Sequence, residues 1–275
     1  MALESSLKRS CFSITSASEN RFALYDGFEL GPLDDPGALA MALGQRDEWA
    51  LDGLLQLLPP SEDGDCRMLI HNVDGSRAEA CGNGLRCLAK LAVELDRLPG
   101  PCFVVETDAG PRPVEVKLDG DHITHARVSL GVPRLVEREQ LFGLREGEVT
   151  CSILDLGNPH CVLFLPDLAS APVASLGAQL EQHPVFPDRT NVEFVDARKD
   201  ALHVRIWERG VGETRSCGTG AAAAAVAAIS QGRIASPVRV FTPGGELGIE
   251  WAGEQLWLTG PVGETESQHQ FADLL

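Results

Sequence analysis

Ala80-Cys81-Gly82-Asn83-Gly84-Leu85 and Ser216-Cys217-Gly218-Thr219-Gly220-Ala221 are two copies of one motif, Cys-Gly-x-Gly, and they decide the predicted fold. They lie about half of the 275-residue chain apart, and each runs directly into a helix-forming segment. This repeat predicts an internal duplication with one cysteine in each half. A thiol at a helix N-terminus lies at the positive end of the helix dipole, which favours the thiolate. One such thiol could remove a proton from a substrate while the other delivers one, which would invert a carbon stereocentre without a cofactor.

The segments that follow the two motifs predict an α/β fold. Apolar residues recur at helical spacing over 85–95, and strand-like runs come next. The segment 221–229 is apolar on every face, so it must be enclosed, most simply by a curved sheet. We therefore predict two related α/β halves, 1–129 and 130–263, with 264–275 completing the first.

Composition and charge exclude several classes of partner. The chain has 23 Lys and Arg against 40 Asp and Glu, a net charge of −17, which argues against nucleic acid and anionic membranes. No apolar run approaches the ~20 residues of a membrane span, and no signal peptide is visible. Eight cysteines without C-x-x-C pairs are expected to be reduced thiols, so we predict a cytoplasmic protein.

Seven short motifs support a specific resemblance. They are Asn72-x-Asp74-Gly75-Ser76, Ala80-Cys81-Gly82-Asn83-Gly84-x-Arg86-Cys87, Gly157-Asn158-Pro159-His160-Cys161, Phe186-Pro187-x-Arg189-x-Asn191, Glu208-Arg209-Gly210-x-Gly212-Glu213-Thr214, Ser216-Cys217-Gly218-Thr219-Gly220 and Pro243-Gly244-Gly245. In this order and spacing the chain resembles the diaminopimelate epimerase family over nearly its whole length. The resemblance implies two pseudo-symmetric α/β domains, each a barrel-like sheet around a central helix, with the active site in the cleft between them. It also implies a homodimer that interconverts LL- and meso-diaminopimelate with neither cofactor nor metal.

The same resemblance assigns roles to particular residues. Cys81 and Cys217 are the acid/base thiols, and His160 and Glu208 support them. The residues expected to bind the substrate are Asn20, Asn72, Gly82, Asn83, Asn158, Asn191, Glu208, Arg209, Gly218 and Thr219. The backbone amides after each cysteine suit the reacting carboxylate, since helix N-termini bind anions. The side chains of Glu208 and Arg209 suit the distal ammonium and carboxylate groups of the substrate. Asparagines beside Gly or Pro are also typical of turns, and Glu208-Arg209 could instead be a surface charge pair.

One segment departs from the family pattern. The family has His-Gly-Leu-Gly-Asn-Asp-Phe where this chain has Ser16-Ala17-Ser18-Glu19-Asn20-Arg21-Phe22, so both glycines and the aspartate are replaced. Because Ala and Glu adopt positive φ reluctantly, we expect a different backbone conformation here. A positive Arg21 near an amino acid substrate could change the substrate preference.

Three other functions stay open from the sequence. Another cofactor-independent racemase of this fold, acting on histidine, proline or hydroxyproline, would need both cysteines. It would not need all of the residues that the resemblance assigns to the distal end of the substrate, which are Asn72, Asn158, Asn191, Glu208 and Arg209. A pyridoxal-phosphate racemase would need a Schiff-base lysine. The chain has lysines only at 8, 90, 117 and 199, and none lies in a phosphate-binding motif. A non-catalytic amino acid-binding relative is the third, and the retention of both thiols argues against it.

Overall fold

The computed structural model describes residues 11–98, 100–119, 122–145 and 147–271. Internal contacts divide the chain into two compact units, with one boundary between Val128 and Ser129 and a second between Thr259 and Gly260. Unit 1 comprises the described residues up to the first boundary and those after the second, and unit 2 is the segment between them. Residues 1–10 and 272–275, which fall in the predicted first half, lie outside the described residues.

Unit 1 is a twisted, mainly antiparallel sheet with two helices. Its elements are β1 (Cys11–Ala17), β2 (Asn20–Asp26), α1 (Pro36–Gly44), β3 (Gly53–Leu58), β4 (Cys66–Asn72), β5 (Arg77–Ala78), α2 (Gly82–Glu94), β6 (Cys102–Thr107), β7 (Gly110–Asp119), β8 (His122–Gly131, which runs past the first boundary) and β18 (Glu266–Gln270). The pairs β2–β3 and β4–β6 are parallel, whereas β1–β2, β3–β4, β6–β7 and β7–β8 are antiparallel. Strand β18 pairs with β1, so the last described strand belongs to the first unit.

Helix α2 is the centre of unit 1. It contacts β1, β2, β3, β4 and β7, and nearly all of its residues are buried. Two of them, Arg86 and Lys90, are cationic and have no exposed surface. Lys90 Nζ lies 3.4 Å from Glu94 and 3.3 Å from Glu264, which compensates for the loss of hydration.

Unit 2 repeats this plan. Its elements are β9 (Arg134–Leu144), β10 (Gly147–Asp155), β11 (Pro159–Phe164), α3 (Val173–Glu181), β12 (Asn191–Ala197), β13 (Ala201–Glu208), β14 (Gly212–Thr214), α4 (Gly218–Ser230), β15 (Val238–Thr242), β16 (Gly245–Trp251) and β17 (Leu256–Pro261, which runs past the second boundary). The pairs β11–β12 and β13–β15 are parallel, and β9–β10, β10–β11, β12–β13, β15–β16 and β16–β17 are antiparallel.

Helix α4 is enclosed, as its sequence predicts. Every residue from Ala221 to Ala228 has no exposed surface, and strands β9 to β13, β15 and β16 contact the helix. Methyl side chains let the strands approach the helix backbone closely, so this core is built with little side-chain volume. The predicted α/β class, with a central helix in each half, is confirmed.

The outer helices α1 and α3 were not predicted from the sequence. Helix α1 packs on β3 and β4 through Leu39 and Leu43, and α3 packs on β12 and β13 through Leu176 and Leu180. Each is a nine-residue helix whose stability comes from that contact, because helices of this length are marginal alone.

Candidate active site

Cys81 is the N-cap of α2. Its backbone is extended, with φ −148° and ψ 119°, and its Sγ accepts a hydrogen bond from the Gly84 amide at 3.4 Å. The sulfur therefore takes the position that a serine or aspartate oxygen usually holds at a helix start. The residue is half-buried, so its thiol lies at the surface of unit 1 and at the positive end of a helix.

Cys217 caps α4 in the same way. Its φ of −131° and ψ of 118° match those of Cys81, and its Sγ accepts from the Gly220 amide at 3.4 Å. A second contact joins Sγ to Thr219 Oγ1, also at 3.4 Å. The duplicated Cys-Gly-x-Gly motif is thus one structural device used twice, a thiol cap on the central helix of each unit.

The surroundings of Cys217 oppose its ionisation. Burial raises the pKa of this thiol well above its ordinary value, and the charges of Glu208 and Glu193 act in the same direction. Hydrogen bonds from Thr219 and Gly220 lower the pKa but do not outweigh these effects. The helix N-terminus favours the thiolate of Cys217, whereas burial and the two carboxylates oppose it and raise the pKa.

His160 is fully buried and is held by hydrogen bonds on both ring nitrogens, to buried Glu193 and to half-buried Asn158. Its Nδ1 lies 2.7 Å from Glu193 Oε1, and its Nε2 lies 3.0 Å from Asn158 Oδ1. Neither His160 nor Glu193 has exposed surface, and burial raises the pKa of Glu193 although His160 acts against it. Glu193 Oε2 and Ser216 Oγ are buried without a hydrogen-bond partner among the described residues. Buried polar atoms without a partner are uncommon, and a catalytic role is one explanation for them.

Glu193 is the site residue that the sequence analysis missed. It stands in β12, Asn191–Ala197, where its neighbours on both sides are buried apolar residues. A carboxylate at a buried position of an apolar strand needs a partner, and this is the signal that could have identified it. A Cβ atom at Gly220 would lie 3.0 Å from Glu193 Oε1, so the last glycine of the motif makes room for this carboxylate.

Of the residues expected to bind the distal end of a substrate, Asn72 lies in unit 1, and the other four, Asn158, Asn191, Glu208 and Arg209, lie in unit 2. Asn191 is buried, accepts from the Arg209 amide at 3.0 Å and donates to the Pro159 carbonyl at 3.2 Å. The Arg209 guanidinium is exposed and donates to the Asp188 carbonyl at 3.2 Å. Both ends of the Asn191 side-chain amide therefore bind backbone groups, the oxygen binding the Arg209 N–H and the nitrogen binding the Pro159 carbonyl.

Glu208 sits at the end of β13, one residue before Arg209. It is half-buried, and its Oε1 accepts from Thr214 Oγ1 at 2.5 Å. This contact ties the carboxylate to the short strand β14, and so the residue is not a freely moving surface charge.

In unit 1, the side chains of Asn20 and Asn83 form a hydrogen bond with each other, and the side chain of Asn72 forms one within a turn. Asn83 Nδ2 donates to Asn20 Oδ1 at 2.6 Å, which places the end of the β1–β2 hairpin beside the first turn of α2. Asn72 Nδ2 instead donates to Ser76 Oγ at 2.9 Å within its own turn. The turn interpretation of Asn72 is therefore realised in this structure.

The departing segment forms a tight two-residue turn. Ala17 pairs with Asn20, and the residues between them, Ser18 and Glu19, have φ of 49° and 70°. Glu19 adopts positive φ although glutamate does so reluctantly, because turns of this length join twisted strands best when both central residues are left-handed. The guanidinium of Arg21, two residues after Glu19, lies 2.9 Å from Glu266, so a nearby carboxylate already balances its charge.

Within the described part of the chain, no helix has both the length and the apolar character needed to cross a membrane. Across the same residues, no group of three or more His, Cys, Asp or Glu side chains is arranged to hold a metal ion.

Fold and site together define a two-unit α/β protein with one helix-capping thiol in each unit. Residues 12–136 and 152–265 match the diaminopimelate epimerase family. The chain is 41% identical over 264 residues to the diaminopimelate epimerase of Moorella thermoacetica, covering 89% of this chain and 93% of that one. It is 43% identical over 261 residues to the Desulforudis audaxviator enzyme of the same name, with the same coverage. The chain belongs to the diaminopimelate epimerase family, and it is an isomerase.

The fold extends beyond that family. A hydroxyproline epimerase from Agrobacterium vitis superposes with a TM-score of 0.70 over 95% of this chain and 90% of its own. Its sequence identity is 16%, so the similarity shows a common fold and nothing about the substrate.

Proposed function

We propose that this chain interconverts LL- and meso-diaminopimelate by a two-thiol acid/base reaction. The observation that carries the proposal is the repeated cap: Cys81 and Cys217 each hold a sulfur at the start of a central helix in matching geometry. The relatives at 41% and 43% identity carry the name of this activity over most of both chains.

The helix starts supply the binding site for the reacting carboxylate. In each helix the cysteine sulfur takes the third amide of the motif, that of Gly84 or Gly220. The earlier amides, of Gly82 and Asn83 and of Gly218 and Thr219, have no intrahelical acceptor. A carboxylate held by such donors lies at the positive end of a helix dipole, which also stabilises the negative charge that develops at the α-carbon.

The reaction moves two protons and needs no other reactant. A thiolate on one face of the α-carbon takes its proton and becomes a thiol, and the C–H electron pair stays as carbanion character beside the carboxylate. The thiol on the opposite face then donates its proton to that carbon and becomes a thiolate. The stereocentre is inverted, and the enzyme has exchanged the roles of its two sulfurs.

We assign the proton-carrying role in the free enzyme to Cys217. Burial and the neighbouring carboxylates of Glu208 and Glu193 hold its pKa well above the ordinary value, so it is a thiol at neutral pH. Cys81 caps the same helix that carries the buried Arg86, and a cation on that helix favours negative charge on the sulfur. In this proposal Cys81 is the first base and Cys217 the first acid.

The distal end of the substrate is assigned to the unit 2 loops and to Asn72. Glu208 suits an ammonium group, and Arg209 presents a fork of donors to a carboxylate. Asn158 orients His160, while Asn191 fixes the backbone of Arg209. A homodimer belongs to the same proposal and is supported by the family resemblance. A cytoplasmic location is supported by the eight cysteines without C-x-x-C pairs. The proposed domain boundary at residue 129 is supported by the division into compact units between Val128 and Ser129.

The test is epimerisation of LL-diaminopimelate in D₂O without added cofactor, followed by chiral chromatography and mass spectrometry. The wild type should form the meso isomer with deuterium at the inverted carbon. Cys81→Ser and Cys217→Ser should each lose at least a hundredfold in kcat, since a hydroxyl is a far weaker acid than a thiol. Cys102→Ser, at an exposed cysteine, is the matched control and should keep wild-type activity. Near-normal turnover by either of the first two variants would refute the two-thiol mechanism.

A further inference from the structure

Arg86 is a buried cation whose position calls for an explanation. It lies on α2, five residues after Cys81, and has no exposed surface. Its Nη1 donates to the Pro261 carbonyl at 2.7 Å, and its Nη2 donates to Ser18 Oγ at 2.9 Å and to Asn83 Oδ1 at 2.5 Å. Its Nε has no partner among the described residues. A buried guanidinium with one unsatisfied donor is costly, which suggests a task beyond packing.

The guanidinium fixes which way round the Asn83 amide lies. An arginine can only donate, so the Asn83 atom that faces it must be the carbonyl oxygen. The amide nitrogen of Asn83 then points to Asn20 and donates to its Oδ1 at 2.6 Å. Because Asn20 Oδ1 is engaged as an acceptor, the Asn20 amide is oriented as well. Its Nδ2 group is the end left to meet a ligand.

This chain of hydrogen bonds ends beside the proposed carboxylate site. Asn83 is the second residue of α2, and its backbone amide is one of the donors assigned above to the reacting carboxylate. Asn20 closes the hairpin turn next to it, and the turn also supplies Ser18 as an acceptor for Arg86. Without the cation, the Asn83 amide could rotate by half a turn, and Asn20 could then present its oxygen to an anion.

We infer that Arg86 is a positioning residue for substrate binding: acting through Asn83, it turns the Asn20 amide so that Nδ2 donates to a carboxylate oxygen of the substrate. The inference rests on the proposed function, because it needs an amino acid carboxylate at the start of α2. The expected effect is on binding, since the relay orients a donor and transfers no proton.

Steady-state kinetics of a double-mutant cycle test the relay. Asn20→Leu removes the proposed contact and should raise KM for LL-diaminopimelate about tenfold, with a smaller change in kcat. Arg86→Met should raise KM to a similar extent, and the double variant should be no worse than the worse single one, because both changes remove one contact. Multiplication of the two effects, to about a hundredfold, would overturn the relay. So would a wild-type KM for Arg86→Met.

Lys90→Met is the matched control. Lys90 is also fully buried on α2, one turn after Arg86, but it pairs with Glu94 and Glu264 instead of Asn83. It should lose thermal stability with KM within twofold of the wild type. A rise in KM equal to that of Arg86→Met would mean that any buried cation of α2 has this effect, and the specific relay would be wrong.

A second variant covers the case in which Arg86→Met does not fold. Asn83→Leu interrupts the relay while Arg86 keeps Ser18 and Pro261, and it should show the same non-additivity with Asn20→Leu. Side-chain amide NMR separates the relay from the proposed function. If the wild type does not epimerise diaminopimelate, the function fails, yet the Asn20 amide resonances should still shift in Asn83→Leu and stay unchanged in Lys90→Met. Unshifted resonances in Asn83→Leu would overturn the relay itself.

Discussion

Glu106→Gln should destabilise unit 1 by an amount that depends on pH. The Glu106 carboxylate is a buried acceptor for four donors of one loop: Ser61 N and Oγ, both at 2.8 Å, Glu62 N at 2.7 Å and Gly64 N at 3.1 Å. An amide keeps one acceptor oxygen and replaces the other with a donor, so two of the four donors lose their acceptor. At about 1 kcal/mol for each lost hydrogen bond, the free energy of unfolding should fall by about 2 kcal/mol at pH 7.

The sign of the pH dependence follows from the same contacts. Burial raises the pKa of Glu106, but the hydrogen bonds outweigh it and lower the pKa from 4.5 to about 2. Because the folded pKa lies below the unfolded one, the carboxylate stabilises the fold above about pH 4.5, and this contribution is lost as the pH falls towards 2. Glutamine does not titrate. The difference between wild type and variant in the free energy of unfolding should therefore be smaller by about 1 kcal/mol at pH 3.5 than at pH 7.

Urea unfolding followed by tryptophan fluorescence at pH 7, 5 and 3.5 measures both effects. Glu62→Gln is the matched control, since Glu62 lies in the same loop and contributes its backbone amide, which the substitution retains. A difference in the free energy of unfolding that stays constant between pH 7 and pH 3.5 would refute the reasoning. So would an equal loss of stability in the control.

Two further substitutions test the candidate site and the departing turn. Arg209→Lys should lower kcat/KM for diaminopimelate at least tenfold, because lysine cannot offer two parallel donors to a carboxylate; kinetics equal to wild type would make Arg209 a surface charge. Glu19→Gly should raise the free energy of unfolding by up to about 1 kcal/mol in thermal or urea unfolding, because glycine relieves the left-handed φ of 70°. A variant of unchanged or lower stability would mean that contacts of the Glu19 side chain outweigh the strain.

The sequence predicted the parts of this structure that depend on neighbours along the chain. The helix caps at Cys81 and Cys217 are local motifs, and the enclosed helix after Cys217 follows from its own composition. The pairing of His160 with Glu193 joins residues on two strands, and no local pattern specifies it. The raised pKa of Cys217 could not be predicted for the same reason, since it depends on burial and on carboxylates from other elements.

The turn at Ser18 and Glu19 shows a second limit. Local preference alone predicts that neither residue adopts positive φ. The register of β1 against β2 leaves two residues for the turn, and that tertiary demand overrides the preference. The burial of Arg86 could not be predicted from the local sequence either, because its hydrogen-bond partner Pro261 is distant along the chain.

Because the chain returns to unit 1 at its last described strand, the two units can complete their folds only at different times during translation. Strand β1 needs β18 as a partner, and the buried cations Arg86 and Lys90 need Pro261 and Glu264. These partners leave the ribosome only after every residue of unit 2. Unit 2 can therefore complete its core while unit 1 still lacks strand β18, one hydrogen-bond acceptor of Arg86 and one carboxylate partner of Lys90. In this chain the half that is translated first should be the half that folds last, the reverse of the usual order for domains during translation.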